Sequence, residues 1–178
     1  MKKIFYPLVA GVLLLTSAFV SVVQTEWKIK DDFSIKFISK DPSGAFKEFT
    51  GTIKFDEADL ATSKFDLSIA VSSISTGNGM MNKKAQIEEW FNSVKYPAIT
   101  FVSTKIEKST TGYSITGNLK LKGTSKAVKI PMVYTKSGET AKFTGAFNVK
   151  RTDYKIGHAS EAVPDVMKIE FSVPVSKK

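Results

Sequence analysis

The chain contains no cysteine and a single histidine among its 178 residues. The first absence removes disulfides, thiolate metal sites, cysteine nucleophiles and a cysteine-linked lipid anchor. The second leaves His158, in the run Gly157-His158-Ala159-Ser160, without a partner motif, so it reads as a surface loop residue. Neither H-x-x-x-H, G-x-S-x-G nor a phosphate-binding loop is present. Asp153 and Asp165 read as turn or structural carboxylates. One histidine with scattered carboxylates would be an unusual donor set for a metal. The sequence therefore predicts neither an enzyme, nor a metal site, nor a cofactor. Strand–helix–strand alternation is missing too, which argues against a parallel α/β sheet.

Acidic residues are the minority, 17 against 26 basic, for a net charge of +9. Such a balance suits nucleic acid, anionic lipid or plain solubility. Its distribution favours the last, because the lysines alternate with apolar positions as they would on a solvated outer face. The N-terminus reads as an export signal: Lys2 and Lys3, an apolar run over 4–15, and Thr16-Ser17-Ala18 as a small-residue cleavage site. Apolar character persists through Phe19, Val20, Val22 and Val23, so an uncleaved anchor is the alternative. The expected organisation is a signal over 1–24 and one domain over 25–178, placed in the periplasm or outside the cell. Export argues against nucleic acid as a partner. Without Lys2 and Lys3 the chain carries 24 basic and 17 acidic residues, a net charge of +7.

What the chain has in quantity is short alternating stretches and thirteen phenylalanines. Phe33, Ile35 and Phe37 alternate with Ser34, Lys36 and Ile38; Phe65, Leu67, Ile69 and Val71 alternate with Asp66, Ser68 and Ala70. This two-residue period marks strands with one buried face. Further strands are expected over 46–55, 99–106, 113–121, 128–134, 143–149 and 167–175, eight in all. A short helical turn is expected within 56–63. Asp41-Pro42-Ser43-Gly44, Thr111-Gly112, Lys122-Gly123-Thr124 and Ser137-Gly138 supply turn chemistry between strands. Regular short strands of this kind form an antiparallel barrel or sandwich. One motif, T-G-x-φ-x-φ with φ apolar, recurs at Thr50-Gly51, Thr116-Gly117 and Thr144-Gly145. Glycine at matching points in three strands suggests bends or bulges, which a barrel needs to close.

The long interruption lies in residues 73–101, where a helix is expected over about 82–92, with Asn82 as N-cap and Tyr96-Pro97 forbidding continuation. Met80, Ile87 and Phe91 would share a face, with Trp90 beside them. A helix this short must dock to persist. On this reading Lys83 and Lys84 occupy the first turn, against the helix dipole, and form a candidate anion site with the free backbone N–H groups.

Several segments resemble the signatures of the YceI-like family. Residues 44–56, G-A-F-K-E-F-T-G-T-I-K-F-D, are similar to G-x-F-x-x-F-x-G-x-I-x-F-D. Ser73-Ile74-Ser75-Thr76-Gly77-Asn78 resembles S-I-x-T-x-N, and Trp90-Phe91-Asn92 with Tyr96-Pro97-Ala98-Ile99-Thr100-Phe101 resembles F-F-D…Y-P-x-I-T-F. Residues 117–126 are similar to G-x-L-T-I-x-G-x-T-K, while Arg151-Thr152-Asp153-Tyr154 and Val163-Pro164-Asp165-Val166 resemble R-x-D-[FY] and V-x-D-x-V. The ordered series runs from about residue 27 to the end. It implies an all-β fold, an eight-stranded antiparallel lipocalin-like barrel with one short helix between two strands. It also implies a long apolar lipid, a polyisoprenoid or similar, bound in the lumen. One departure stands out: Met81-Asn82-Lys83-Lys84-Ala85 replaces the family's R-D-x-H-L, leaving Lys84 near the histidine's place.

An eight-stranded barrel is either just filled or holds one small ligand. About ten buried CH₂ groups would contribute on the order of 8 kcal/mol, less several kcal/mol for association, so micromolar binding needs no polar contact. Candidate lumen residues are Ile35, Phe37, Phe49, Ile69, Val71, Phe101, Tyr113, Leu119, Ile130, Met132 and Phe147, with Trp90 and Phe91 near one end. Lys83 and Lys84 are candidate headgroup contacts. Expected partners are an isoprenoid or other lipid, a transient membrane contact, and a second copy if apolar surface is left exposed. The alternative is a structural or glycan-binding secreted β module with a filled core.

Overall fold

The computed structural model describes residues 25–159 and 162–178. The expected export signal over 1–24 lies outside them. The alternating stretches form antiparallel strands that pair with their neighbours in chain order. The first half contains β1 (Glu26–Ile29), β2 (Ser34–Ile38), β3 (Gly44–Phe46), β4 (Phe49–Lys54), β5 (Lys64–Ala70) and β6 (Ile74–Ser75). The helix α1 (Gly79–Gln86) follows. Then come β7 (Ala98–Ser109), β8 (Gly112–Leu121), β9 (Thr124–Ser137), β10 (Thr140–Lys150) and β11 (Val166–Lys177).

Six of these segments are halves of three broken strands. β1 and β2 both pair with β11, placing Trp27 opposite Lys177 and Phe37 opposite Ile169. β4 and β3 pair with β1 and β2 respectively, and β5 and β6 pair with β4 and β3. With β7 to β11 this makes eight barrel strands, and the pairing of first with last closes the ring. Closure pairs the first strand with the last instead of leaving each as a sheet edge.

The three motif glycines sit where neighbours crowd the strand. A Cβ on Gly51 would collide with the Asp66 carbonyl of β5, one on Gly117 with the Phe101 ring, and one on Gly145 with the Pro131 carbonyl and the Phe171 ring. Opposite Gly117 the β7 ladder slips between Ser103 and Lys105, a bulge that increases the bend. The expected turn over 56–63 is not helical. It is built from Asx-type bonds, with Asp56 Oδ1 accepting from the Ala58 N–H at 2.9 Å and Asp59 Oδ1 from the Ala61 N–H at 3.1 Å.

The interruption differs from its expected form. Asn78, not Asn82, caps α1, its Oδ1 accepting from the Met80 and Met81 N–H groups at 2.9 and 3.3 Å. Asn82 instead accepts from the Thr76 N–H and Oγ1, each at 2.8 Å. The helix ends at Gln86 rather than 92, because Ile87 turns extended with ψ 169°, and the chain then folds back, Phe91 N–H donating to the Ala85 carbonyl at 3.0 Å. Lys83 and Lys84 therefore fall in the last turn, where the dipole favours them, and not beside free N–H groups. No α1 residue is buried, and Met80 and Ile87 are exposed, so the expected Met80–Ile87–Phe91 docking face does not form. The segment docks through Ala85, Trp90 and Phe91, with Phe91 edge-on to Phe46 at 6.3 Å.

The end of the barrel away from α1 is stopped by aromatic rings. Phe55 is the hub, its centroid 4.7 Å from Tyr134, 5.1 Å from Tyr113, 5.4 Å from Phe143 and 6.1 Å from Phe65. Trp27 stands edge-on to Tyr134 and donates Nε1–H to the Phe55 carbonyl at 3.0 Å. Such ring pairs contribute about 0.5–1.5 kcal/mol each beyond the area they bury. Burial pushes Tyr113 and Tyr134 up to about 12, helped at Tyr113 by the 2.8 Å bond from Oη to Glu57. The neutral phenols thus stabilise the fold fully below the unfolded value of about 10, and that contribution is lost as pH rises towards 12. Urea midpoints should accordingly fall between about pH 10 and 12, and fall less steeply in Tyr134→Phe; an unchanged slope in that variant would place the alkaline sensitivity elsewhere.

Candidate functional site: a divided apolar lumen

Inward-facing side chains leave two cavities in series, of about 110 and about 140 Å³. The first adjoins the aromatic stop and is bordered by Phe65 and Phe143. The second lies under the α1 end, bordered by Phe46, Trp90, Phe91 and Arg151. Six residues line both and form the waist between them: Ile35, Ile69, Ile99, Leu119, Phe147 and Ile169. The walls are apolar throughout, apart from Trp90 and Arg151, and cavities of that kind stay dry.

Most of the residues singled out from the sequence meet here. Ile35, Ile69, Leu119 and Phe147 lie at the waist; Phe49, Phe101, Ile130 and Met132 line the first cavity; Phe37, Trp90 and Phe91 line the second. Tyr113 and Val71 line neither. Tyr113 belongs to the aromatic stop, and Val71 begins a 3₁₀ turn (Val71–Ser73) beyond β5, where the strand period no longer applies. Lys83 and Lys84 are exposed and line neither cavity, although Lys84 Nζ stands 5.9 Å from the Trp90 ring centre. The sequence reading missed Ile99 and Ile169 at the waist. Both stand two residues from inward-facing partners, Phe101 and Phe171, so strand parity was the available signal. It also missed Arg151.

Arg151 is buried, and its guanidinium organises the loop between β10 and β11. Nε donates to the Pro164 carbonyl at 3.1 Å and Nη1 to the Ile156 carbonyl at 2.8 Å. Nη2 donates to the carbonyls of His158 and Val163 at 2.8 and 2.7 Å and pairs with Asp165 Oδ1 at 3.3 Å. Asp165 Oδ2 in turn accepts from Thr152 Oγ1 at 3.1 Å. The planar fork with five donors fits this ring of acceptors as no other side chain could. Its Cζ stands 5.4 Å from the Trp90 ring centre, tying the loop to the α1 segment. A second tie is Lys122, whose Nζ donates to the carbonyls of Glu89 and Lys155 at 2.8 and 2.7 Å. Burial holds its pKa below the ordinary lysine value, against the opposing pull of Glu88 and Glu89. The mouth is thus a set of stitched loops rather than a docked helix. Among the described residues no cluster of three or more His, Cys, Asp or Glu is placed to hold a metal, and no helix is long and apolar enough to cross a membrane.

A closed eight-stranded antiparallel barrel with a divided apolar lumen defines a lipocalin-like architecture. The chain belongs to the YceI-like family, whose domain model matches residues 20–175. A UPF0312 protein of Yersinia enterocolitica is 31% identical over 187 residues, covering 95% of this chain and 96% of its own. The crystal structure of BcnA from Burkholderia cenocepacia superposes with a TM-score of 0.78 at 29% identity, covering 83% of this chain and 99% of that one. A polyisoprenoid-binding domain from Saccharophagus degradans, implicated in plant cell wall breakdown, superposes with a TM-score of 0.64, over 87% of this chain and 99% of that one. At 13% identity that likeness shows the shared fold alone.

Replacing Arg151 by Met would orphan four carbonyls and Asp165, at a cost of about 3–5 kcal/mol. Arg151→Lys should recover only part of it, since an ammonium cannot span the fork. Urea denaturation measures both, and a loss below about 1 kcal/mol in Arg151→Met would contradict the role given to Arg151.

Proposed function

We propose that this chain is an exported binding protein that holds a long apolar lipid in its lumen, for carriage or sequestration. The lipid would be a polyisoprenoid, an isoprenoid quinone or a fatty-acid-like chain. The observation that carries this reading is the pair of apolar cavities sharing one waist inside a closed wall. A structural or glycan-binding module would have a filled core, and this core is not filled. A cavity of about 150 Å³ holds one benzene-sized group, so the lumen takes two such groups in line. A longer chain would extend past the Trp90–Phe91 mouth or displace waist rotamers. The domain of the same fold from Saccharophagus degradans is itself described as polyisoprenoid-binding, so the fold is compatible with this ligand class. Binding, rather than catalysis, is the chemistry such walls offer.

The N-terminal Lys2, Lys3 and apolar run support delivery to the periplasm or outside the cell. Met80, Ile87 and Val94 are exposed beside Lys83, Lys84 and Lys95, which suits a transient contact with an anionic membrane during loading. Because the barrel is closed, a homodimer would use these same residues rather than a strand edge.

Organic extraction of the purified protein followed by mass spectrometry should release a long-chain lipid, and the emptied protein should take up a fluorescent prenyl or fatty-acyl probe. Leu119→Trp, which fills the waist, should reduce probe uptake at least tenfold while the far-ultraviolet spectrum stays that of a β protein. Absence of both co-purified lipid and uptake in the unmodified protein would overturn the reading.

A further inference from the structure

The first two barrel strands are joined at their ends and not in the middle. The β1–β4 ladder stops at Trp27–Ile53, and the β2–β3 ladder starts again at Ile35–Phe46. No register pair joins residues 28–34 to residues 47–52 among the described residues. On the other side of the same strand, residues 30–33 stand opposite only 173 and 174, because Ile29 faces Val175 and Ser34 faces Ser172. Lys30 N–H donates to the Pro174 carbonyl at 3.0 Å, and Pro174 has no N–H to return. Asp31 and Asp32 form an exposed turn there. A surface groove of about 310 Å³ follows the gap, bordered by Lys30, Phe33, Phe49 and Thr50 among others. Phe49 also borders the first lumen cavity, and it is the one residue the groove and that cavity share. Gly51, midway between Phe49 and Ile53 on the cavity wall, is exposed and brings no side chain to the gap. The Phe33 ring packs on that of Phe49, centres 5.4 Å apart, and Phe33 borders the groove but not the cavity.

We propose that this seam is a side port through which a hydrocarbon chain passes into and out of the first cavity, with Phe33 as its gate. The proposal rests on the lumen being a lipid site. From the mouth under α1, a chain reaches the first cavity only by way of the second cavity and the waist. The seam opens on it directly, across a wall one residue thick. Parting the strands at this level breaks no rung of the ladder, and what resists it is the packing of Phe33 on Phe49. The passing group is a hydrocarbon because the cavity behind Phe49 is walled by Ile, Leu, Val, Met and Phe alone. A charged group would lose its hydration there.

Stopped-flow uptake and release of a fluorescent acyl probe by delipidated protein test the port. Phe33→Ala should raise the association and dissociation rate constants together, each at least about fivefold, and move their ratio less than about twofold, because a gate sets rates rather than affinity. The chain has no cysteine, so Thr50→Cys can be coupled at that one position to a bulky maleimide. Coupling there, on the rim of the groove, should slow uptake at least about fivefold relative to the same variant uncoupled. Coupling at Lys120→Cys, exposed on β8 across the ring, should leave the rate as it was. Unchanged rates in Phe33→Ala, an unchanged rate after coupling at position 50, or equal slowing by both conjugates would each overturn the side port and leave the lumen reading standing. Failure of the unmodified protein to bind the probe at all would overturn both.

Discussion

Everything in this molecule depends on the pairing of its first strand with its last. β1 and β2 meet β11 in two registers, one on each side of a break, and that contact turns an open meander into a ring. An open sheet with this much aromatic and branched side chain on one face would need a second layer. A closed one buries that face against itself and leaves a lysine-rich exterior to water. The break between β1 and β2 and the bulge in β7 interrupt the regular ladder as a closed ring requires, and the glycines at 51, 117 and 145 leave room where neighbours crowd the strands.

The two ends of the ring are closed by different physics. At one end, rings around Phe55 pack edge to face and fill the space, which makes that end core. At the other, a buried guanidinium gathers carbonyls from a loop and Lys122 ties two more segments together. Polar stitching of that sort holds a loop in register without packing solid against the lumen. It fits an end at which a ligand would enter, just as the aromatic stop fits an end at which it would not.

Much of this was legible from residue order. The two-residue period located each of the eight barrel strands at least in part, missing the β1 half of the first. All three T-G-x-φ-x-φ glycines mark a close approach of a neighbour, but only Gly117 stands opposite a bulge. The residues chosen for the lumen lie on its wall where they sit within regular strands, Val71 and Tyr113 being the exceptions. Val71 belongs to a 3₁₀ turn, where alternation stops, and Tyr113 faces inward at a level already filled by Phe55. The helix was found but misplaced, because Asn78 and Asn82 are both credible caps and only tertiary contact with Thr76 decides between them. That four-residue error reversed the electrostatics assigned to Lys83 and Lys84. Arg151 was legible as a motif residue but not as a hub, since its partners are backbone carbonyls, which carry no sequence signal.

The central claim is that a lipid chain occupies the inside of the ring. A prenyl chain carrying a nitroxide near its tail, added to methyl-labelled protein, tests it by paramagnetic broadening. Occupancy of the lumen predicts that the methyl signals of Ile35, Ile69, Ile99 and Ile169 at the waist broaden first, while those of the exposed Val133 and Val166 persist. Broadening confined to Val133, Val166 and other outward-facing methyls, with the waist isoleucines sharp, would contradict the account.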